Sequence, residues 1–287
     1  MKLKIVFLGN HTVGVQVLKA LYPYGCLSGV VAHPEDPEDG NKYLSVHDYA
    51  NELNVPVIRA SPKMPLLLDF INKIKPDLIW VTDYKYLLPS EIFLLPRLGA
   101  INLHPSLLPK FKGRASLNWA MIHGENKVGL TAHFIDADVD TGDIIKQVEL
   151  PIHKHEYIGD VLEKIYPLYR TITNDVITMF LNNNIQRKPQ NSALGSIYPA
   201  RKPADGVINL NKNAYEILNF IRALSRPYPG AFLIKDRMKT TIWKANISEK
   251  KFETCGLHSL NNEIYLQCTD HSLKITDYTI TEESFDV

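Results

Sequence analysis

Ile5-Val6-Phe7-Leu8-Gly9-Asn10-His11-Thr12-Val13-Gly14 is an apolar run that ends on a glycine and a polar pair, then continues with apolar residues at helical spacing. Four apolar residues in a row suit a strand covered on both faces, and the change of period after Gly9 marks a strand-to-helix turn. The same alternation continues outward. Leu27–Ala32, Val55–Ile58, Leu78–Val81 and Ala100–Leu103 are strand-sized, and Val13–Leu21, Val46–Leu53, Leu66–Ile74 and Pro89–Leu95 have helical spacing. Strand alternating with helix predicts an α/β fold with a mostly parallel, Rossmann-like sheet and helices on both faces. Ligands then collect beyond the carboxyl ends of the strands, which puts Asn10 and His11 in a loop at the binding edge. A dinucleotide fingerprint needs a middle glycine that Gly9-Asn10-His11-Thr12-Val13-Gly14 lacks, which argues against NAD.

Farther along, the spacing predicts a helix from about Tyr157 to Leu181, interrupted or kinked by Pro167 and ended by Asn182-Asn183-Asn184. Beyond residue 185 the chain turns to polar coil with prolines, then a helix at Ala214–Leu224, then short apolar segments at Phe232–Ile234, Thr240–Trp243 and Ile264–Cys268. The expected domains are an α/β domain over 1–185, a linker over 186–204 and a smaller β-rich domain over 205–287, whose apolar surface would suit a homodimer.

With 32 basic and 31 acidic side chains in 287 residues the formal charge is +1, and 45% of the chain is apolar. A nucleic-acid binder would carry a clear basic excess, and a disordered chain would be poorer in apolar residues. Nothing reads as a signal peptide or a membrane span, so the expectation is a cytoplasmic protein with neither membrane nor nucleic acid as partner. Cys26, Cys255 and Cys268 are too scattered for a disulfide framework or a metal site and read as small apolar residues. The acidic stretch Glu35–Asp39 reads as a solvated loop, and His153-Lys154-His155 as a surface pair on a short strand. Tyr215, Leu218, Ile221 and Arg222 read as a core-facing helix stripe with a snorkelling arginine.

The densest cluster of unusual residues runs from Ile101-Asn102-Leu103-His104-Pro105-Ser106-Leu107-Leu108-Pro109 to Gly113-Arg114. Asn102 and His104 are two apart, so at a strand end they share a face. An amide donor beside an imidazole suits acyl transfer: one steadies a developing oxyanion and the other moves a proton. Alone, the pair is most simply a satisfied polar strand end. Downstream, Asp136, Asp138, Asp140 and Asp143 crowd one loop. They lack EF-hand spacing, and a carboxylate that orients a histidine is the better chemical use.

Asn102-x-His104, Ser106-Leu107-Leu108-Pro109, Gly113-Arg114 and Asp140-Thr141-Gly142 together resemble the signature of the formyltransferases that use 10-formyltetrahydrofolate. The likeness continues through Arg201-Lys202-Pro203-Ala204-Asp205-Gly206 and Ser225–Phe232. That family includes methionyl-tRNA, glycinamide ribonucleotide and sugar N-formyltransferases. The resemblance implies an Asn–His–Asp triad at Asn102, His104 and Asp140, with 10-formyltetrahydrofolate as formyl donor, no metal and an OB-like C-terminal domain. It leaves open which group takes the amine proton. It also implies a pterin pocket formed by Tyr84, Tyr86, Leu87 and Leu88 and by the loop bearing Asp136 and Asp138.

For the acceptor, the near-zero net charge and the acidic loop argue against tRNA. Arg114 and Arg201, with Lys85, are candidates to hold a diphosphate beside Asn10 and His11, although each also reads as a solvated surface residue. Gly113–Trp119 and Arg226–Phe232 resemble the domain that formylates a UDP-linked 4-amino-4-deoxypentose in lipid A modification, with Ser116 where that relative has proline. The acceptor expected is therefore a nucleotide-linked amino sugar, a UDP-linked 4-amino sugar first, used in cell-surface glycan synthesis. Methionyl-tRNA formylation and a non-catalytic folate or nucleotide-sugar binding module are the alternatives.

Overall fold

A computed structural model describes residues 2–34 and 43–282. The acidic stretch Glu35–Asp39 lies outside the described residues. The chain divides into two compact units, one of Met1–Gly113, Gly129–Leu150 and Glu163–Ile197, the other of Arg114–Val128, Pro151–Leu162 and Tyr198–Val287.

Strand and helix alternate from the start: β1 (Ile5–Gly9), α1 (His11–Leu21), β2 (Leu27–Ala32), α2 (Val46–Glu52), β3 (Val57–Arg59), α3 (Pro65–Ile74), β4 (Leu78–Thr82) and α4 (Ser90–Phe93). Next come β5 (Ala100–His104), β6 (Lys112–Gly113), α5 (Ser116–Ile122), β7 (Lys127–Phe134), β8 (Ile144–Pro151) and α6 (Ile158–Leu181). The chain continues through β9 (Ile197–Tyr198), α7 (Ala214–Leu224), β10 (Ala231–Lys235), β11 (Met238–Ser248), β12 (Gly256–Leu260), β13 (Glu263–Gln267) and β14 (Ser272–Glu282).

Seven strands form the main sheet in the order β3-β2-β1-β4-β5-β7-β8. The pairs from β3 through β5 are parallel, and β7 then returns antiparallel to β5. The sheet is thus mostly parallel and Rossmann-like, and the order reverses between β1 and β4, where such sheets open a crevice at their carboxyl edge. β1 and β4 are buried along their whole length, which is why they read as unbroken apolar runs. Gly9 ends β1 because a Cβ there would stand 2.3 Å from Thr82 O on the neighbouring strand.

The helix expected to be interrupted or kinked at Pro167 is continuous through it. Pro167 is exposed, so water can serve the carbonyl that its missing N–H leaves, while buried Ile165, Ile172, Val176, Ile177 and Phe180 hold the inner face. Among the described residues no helix is long and apolar enough to cross a membrane.

The second unit contains a five-stranded antiparallel sheet in the order β10-β11-β14-β13-β12. Its helix α7 begins at Asn213, whose side chain accepts from Glu216 N at 2.9 Å while Glu216 Oε2 accepts from Asn213 N at 3.1 Å. Ile217, Ile221 and Leu224 face its core with Ile242, Leu266 and Leu273.

The stripe on α7 differs from the sequence expectation in two ways: Tyr215 is exposed, and Arg222 does not snorkel. Its guanidinium is buried and donates to Glu156 O at 2.8 Å, Asn219 Oδ1 at 2.9 Å and His153 O at 2.9 Å. Three fixed acceptors hold the cation inside, where a free arginine would reach for water. Arg222→Met should cost about 2–3 kcal/mol by stranding those carbonyls, a loss that urea unfolding would measure. His153 and His155 are an exposed pair with rings stacked at 5.7 Å, but they sit in a turn after β8 and not on a strand. Cys26 and Cys268 are buried as expected, whereas Cys255 is exposed.

Candidate active site

β5 ends on the alternation that the sequence suggested: Leu103 is buried in the core, and Asn102 and His104 share the opposite face. The antiparallel register sets His133 of β7 directly across from Asn102. The loop after β7 brings Asp140 onto this group, with Asp140 in the left-handed region at φ 53°. The backbone is strained where the carboxylate is aimed.

Asp140 is the hub. Its Oδ2 accepts from Gly113 N at 2.9 Å and lies 3.5 Å from His104 Nδ1. Its Oδ1 lies 3.5 Å from both Asn102 Nδ2 and His133 Nε2. Although burial alone would raise the carboxyl, the two imidazoles and the Gly113 N–H hold it well below the usual carboxylate range. It is therefore ionised at any pH near neutrality.

His104 is 4% exposed, and its Nε2 lies 2.9 Å from Phe111 O, a carbonyl that can only accept. The proton is thereby assigned to Nε2, leaving Nδ1 toward Asp140. Burial pushes this imidazole below its ordinary value, against the upward pull of Asp140 and the Phe111 carbonyl. By the same logic His133 Nδ1 donates to Phe134 O at 2.8 Å, while its Nε2 edge lies 3.4 Å from Asn102 Nδ2 and 3.5 Å from Asp140 Oδ1. Bonds of 3.4 and 3.5 Å are weak, so the Asn102 NH₂ group is oriented but uncommitted. The arrangement joins an available amide donor, a buried imidazole and a fixed negative charge.

Gly142 closes the loop by contact. A Cβ at this position would stand 2.0 Å from Phe134 O, so the turn after Asp140 must come down on β7 without a side chain.

Asn10, His11 and Lys85 lie at the carboxyl edge of β1 and β4. Asn10 Nδ2 is 3.0 Å from His33 Nδ1, and the Lys85 backbone N–H donates to His33 Nε2 at 2.9 Å. His11 Nδ1 pairs with Asp83 Oδ2 at 2.7 Å, and both residues have positive φ. His33 and Asp83 are thus part of this edge, and no motif or spacing in the chain marked either of them. Lys85 Nζ stands over the Tyr86 ring at 5.6 Å. Arg114 and Arg201 belong to the second unit. Arg114 is exposed, while Arg201 donates to Asp205 O at 2.6 Å and lies over the rings of Trp119 and Phe220.

Tyr84, Tyr86 and Leu88 join one apolar cluster with Ile135, so the segment after β4 and the start of the Asp140 loop adjoin. The Tyr84 hydroxyl donates to Ala60 O at 2.9 Å, whereas Leu87 is 75% exposed. Asp136 accepts from the Thr141 hydroxyl at 2.6 Å, and Asp138 is exposed.

The Formyl transferase family matches residues 3–176, and its C-terminal domain matches residues 201–284. The chain belongs to the formyl transferase family. This formyl transferase is 32% identical over 283 residues to the bifunctional polymyxin resistance protein ArnA of Wigglesworthia glossinidia brevipalpis, covering 98% of this chain but 43% of ArnA. It is 33% identical over 259 residues to the methionyl-tRNA formyltransferase of Clostridioides difficile strain 630, covering 87% of this chain and 82% of that one. Its fold matches the N-formyltransferase of Helicobacter canadensis, a crystal structure with folinic acid and dTDP-3-aminofucose. That match has TM-score 0.75 at 20% identity and covers 95% of this chain and 98% of the other.

Proposed function

We propose that this formyl transferase moves a formyl group from 10-formyltetrahydrofolate to the amine of a nucleotide-linked amino sugar, first among them a UDP-linked 4-amino sugar. The convergence of Asn102 and His104 on Asp140 carries the reading, because acyl transfer to an amine needs a donor for negative charge on oxygen and a route for one proton.

When bound, the folate supplies an activated formyl carbon. The pterin ring is assigned to the segment of Tyr84, Tyr86, Leu87 and Leu88 and the loop of Asp136 and Asp138, a reading supported by the irregular backbone at residues 84–88, which can meet a polar ring edge, and by the packing of Ile135 with Tyr84, Tyr86 and Leu88. Asn102 donates its amide to the formyl oxygen as charge builds there. His104 holds or passes the proton at Nδ1, and Asp140 fixes the ring and balances its charge. One C–N bond forms to the acceptor amine and one breaks at the folate nitrogen, so the proton that the amine loses equals the one that the folate nitrogen gains. Asn10, His11 and Lys85, at the carboxyl edge of β1 and β4, are assigned to the acceptor, with the Lys85 ammonium for its diphosphate.

A charge of +1 over the whole chain supports a small acceptor over tRNA. The methionyl-tRNA formyltransferase of Clostridioides difficile keeps the tRNA reading as the competitor. A panel of UDP-, dTDP- and GDP-linked 3- and 4-amino sugars, with methionyl-tRNA alongside, separates the two. An amino sugar should be formylated with kcat/KM at least about 100-fold above any tRNA reaction, the discrimination that a pocket with fixed polar groups supports. Turnover of the tRNA alone would replace this reading with the competitor.

A further inference from the structure

The segment after α6 lies within residues 177–200, outside both family matches, and it fastens at three points onto the Asp140 loop and the strand ends that flank it. The Arg187 guanidinium lies 3.6 Å from the centre of the Phe134 ring. Lys188 and Ile144 exchange both backbone hydrogen bonds, at 2.8 and 2.9 Å. Gln190 Nε2 donates to Asp140 O at 2.9 Å and to Gly142 O at 2.8 Å, which spends both hydrogens of the amide on the turn that carries the carboxylate.

We propose that Gln190 is a positioning residue for formyl transfer, its amide clamping the Asp140 backbone so that the carboxylate stays between His104, Asn102 and Gly113. The turn needs such a clamp. Asp140 holds a left-handed φ of 53°, which a non-glycine residue keeps only where its surroundings enforce it. Phe134 O blocks Gly142 from one side, and the Gln190 amide ties residues 140 and 142 from the other. The other end of the same amide argues against a filling role: Gln190 Oε1 is buried without a hydrogen-bond partner. An orphaned acceptor costs stability, and an apolar residue of that size would avoid the cost. The two donors are what the position gains.

The inference rests on formyl transfer as the reaction but not on which amine is the acceptor. Its test uses the full-length protein with Gln190→Met, which keeps the length and loses both donors, and Gln190→Glu, which keeps the shape and turns an ionised carboxylate toward two carbonyls. Arg187→Met is the control, since it loosens the segment without touching either bond to the turn. The first readout is the titration of the His104 ring by ¹⁵N NMR, which needs no acceptor. Asp140, His133 and the Phe111 carbonyl face this ring, and of these the Asp140 charge and the carbonyl hold its pKa up against burial. A carboxylate that drifts away should move the His104 midpoint to lower pH in Gln190→Met and not in Arg187→Met, whereas the anion added in Gln190→Glu opposes that shift and this variant is read by kcat. The second readout is kinetic: with whichever acceptor reacts, kcat should fall about 10-fold with KM within about twofold, as displacement of a catalytic group by a fraction of an ångström does.

A His104 midpoint and kcat equal to wild type in Gln190→Met, or a wild-type kcat in Gln190→Glu, overturn the assignment. So does a lowered melting temperature with an unmoved midpoint, which marks a structural contact only. An equal displacement in Arg187→Met would also overturn it, by assigning the effect to the whole segment. Failure of the amino-sugar panel leaves the titration intact, so the two readings can fail separately.

Discussion

His104→Ala should lower kcat for formyl transfer by about 10³-fold and leave KM for donor and acceptor within about threefold, the pattern of a group that acts mainly in the transition state. No neighbour can replace it. Asn102 donates but does not exchange protons, and His133 is turned so that its Nδ1 is spent on Phe134 O. Asp140 remains ionised, but its oxygens are taken up by Gly113 N, His133 and Asn102. The ring is buried, so its loss also leaves a cavity worth about 1–3 kcal/mol, which a melting curve would detect as a separate effect. His104→Asn keeps more of the volume and a polar group facing the Phe111 carbonyl. It should recover stability without recovering rate. If His104→Asn turned over at more than a tenth of the wild-type rate, proton transfer through this position would be excluded.

The sequence made the first half of the fold legible because β1, β2, β4 and β5 are buried on both faces and read as apolar runs between helical segments. Helix α7 was equally plain, with its cap at Asn213 and its apolar spacing. β7 was passed over although Val128, Leu130, Ala132 and Phe134 alternate with Lys127, Gly129, Thr131 and His133, and the alternation misleads about its second face: Thr131 and His133 are buried, bonded to Ser106 O and Phe134 O, and not turned to solvent. β14 was missed for the opposite reason: most of its second half is exposed, and only pairing with β11 makes it a strand.

Within the site, Asn102 and His104 were visible because two residues on one strand share a face by local geometry alone. His133 and Gln190 were not, because their places follow from the antiparallel register of β7 and from a segment that returns 50 residues after Asp140. Local spacing carries no trace of such contacts. His33 shows the same limit, since its partners Asn10 and Lys85 stand on other strand ends.

Asp140→Asn should reduce kcat by about 10²–10³-fold while the protein stays folded, a loss set by the charge and not by the backbone. Asparagine accepts the left-handed φ of 53° as readily as aspartate, so the turn held by Gly142 and Gln190 has no reason to move. The substituted side chain can still accept from Gly113 N through its amide oxygen, but its NH₂ end then meets the amide of Asn102 and the ring of His133. The charge also has a pH signature with a definite sign. The folded-state pKa of Asp140 lies below its unfolded value, so its contribution is fully present above about pH 4 and is lost as pH falls through the depressed folded value. The variant should therefore be less stable than wild type by about 1–3 kcal/mol at about pH 7, the range for a hydrogen bond to a charged group, with the gap closing below about pH 4. His104 should respond in the same experiment. Without the carboxylate that lifts it against burial, its titration should move to lower pH than in wild type. Urea unfolding from about pH 3 to about pH 8, run beside the ¹⁵N titration of His104, reads both effects. A stability gap that stayed constant across that range would show that the Asp140 charge does not hold the site together.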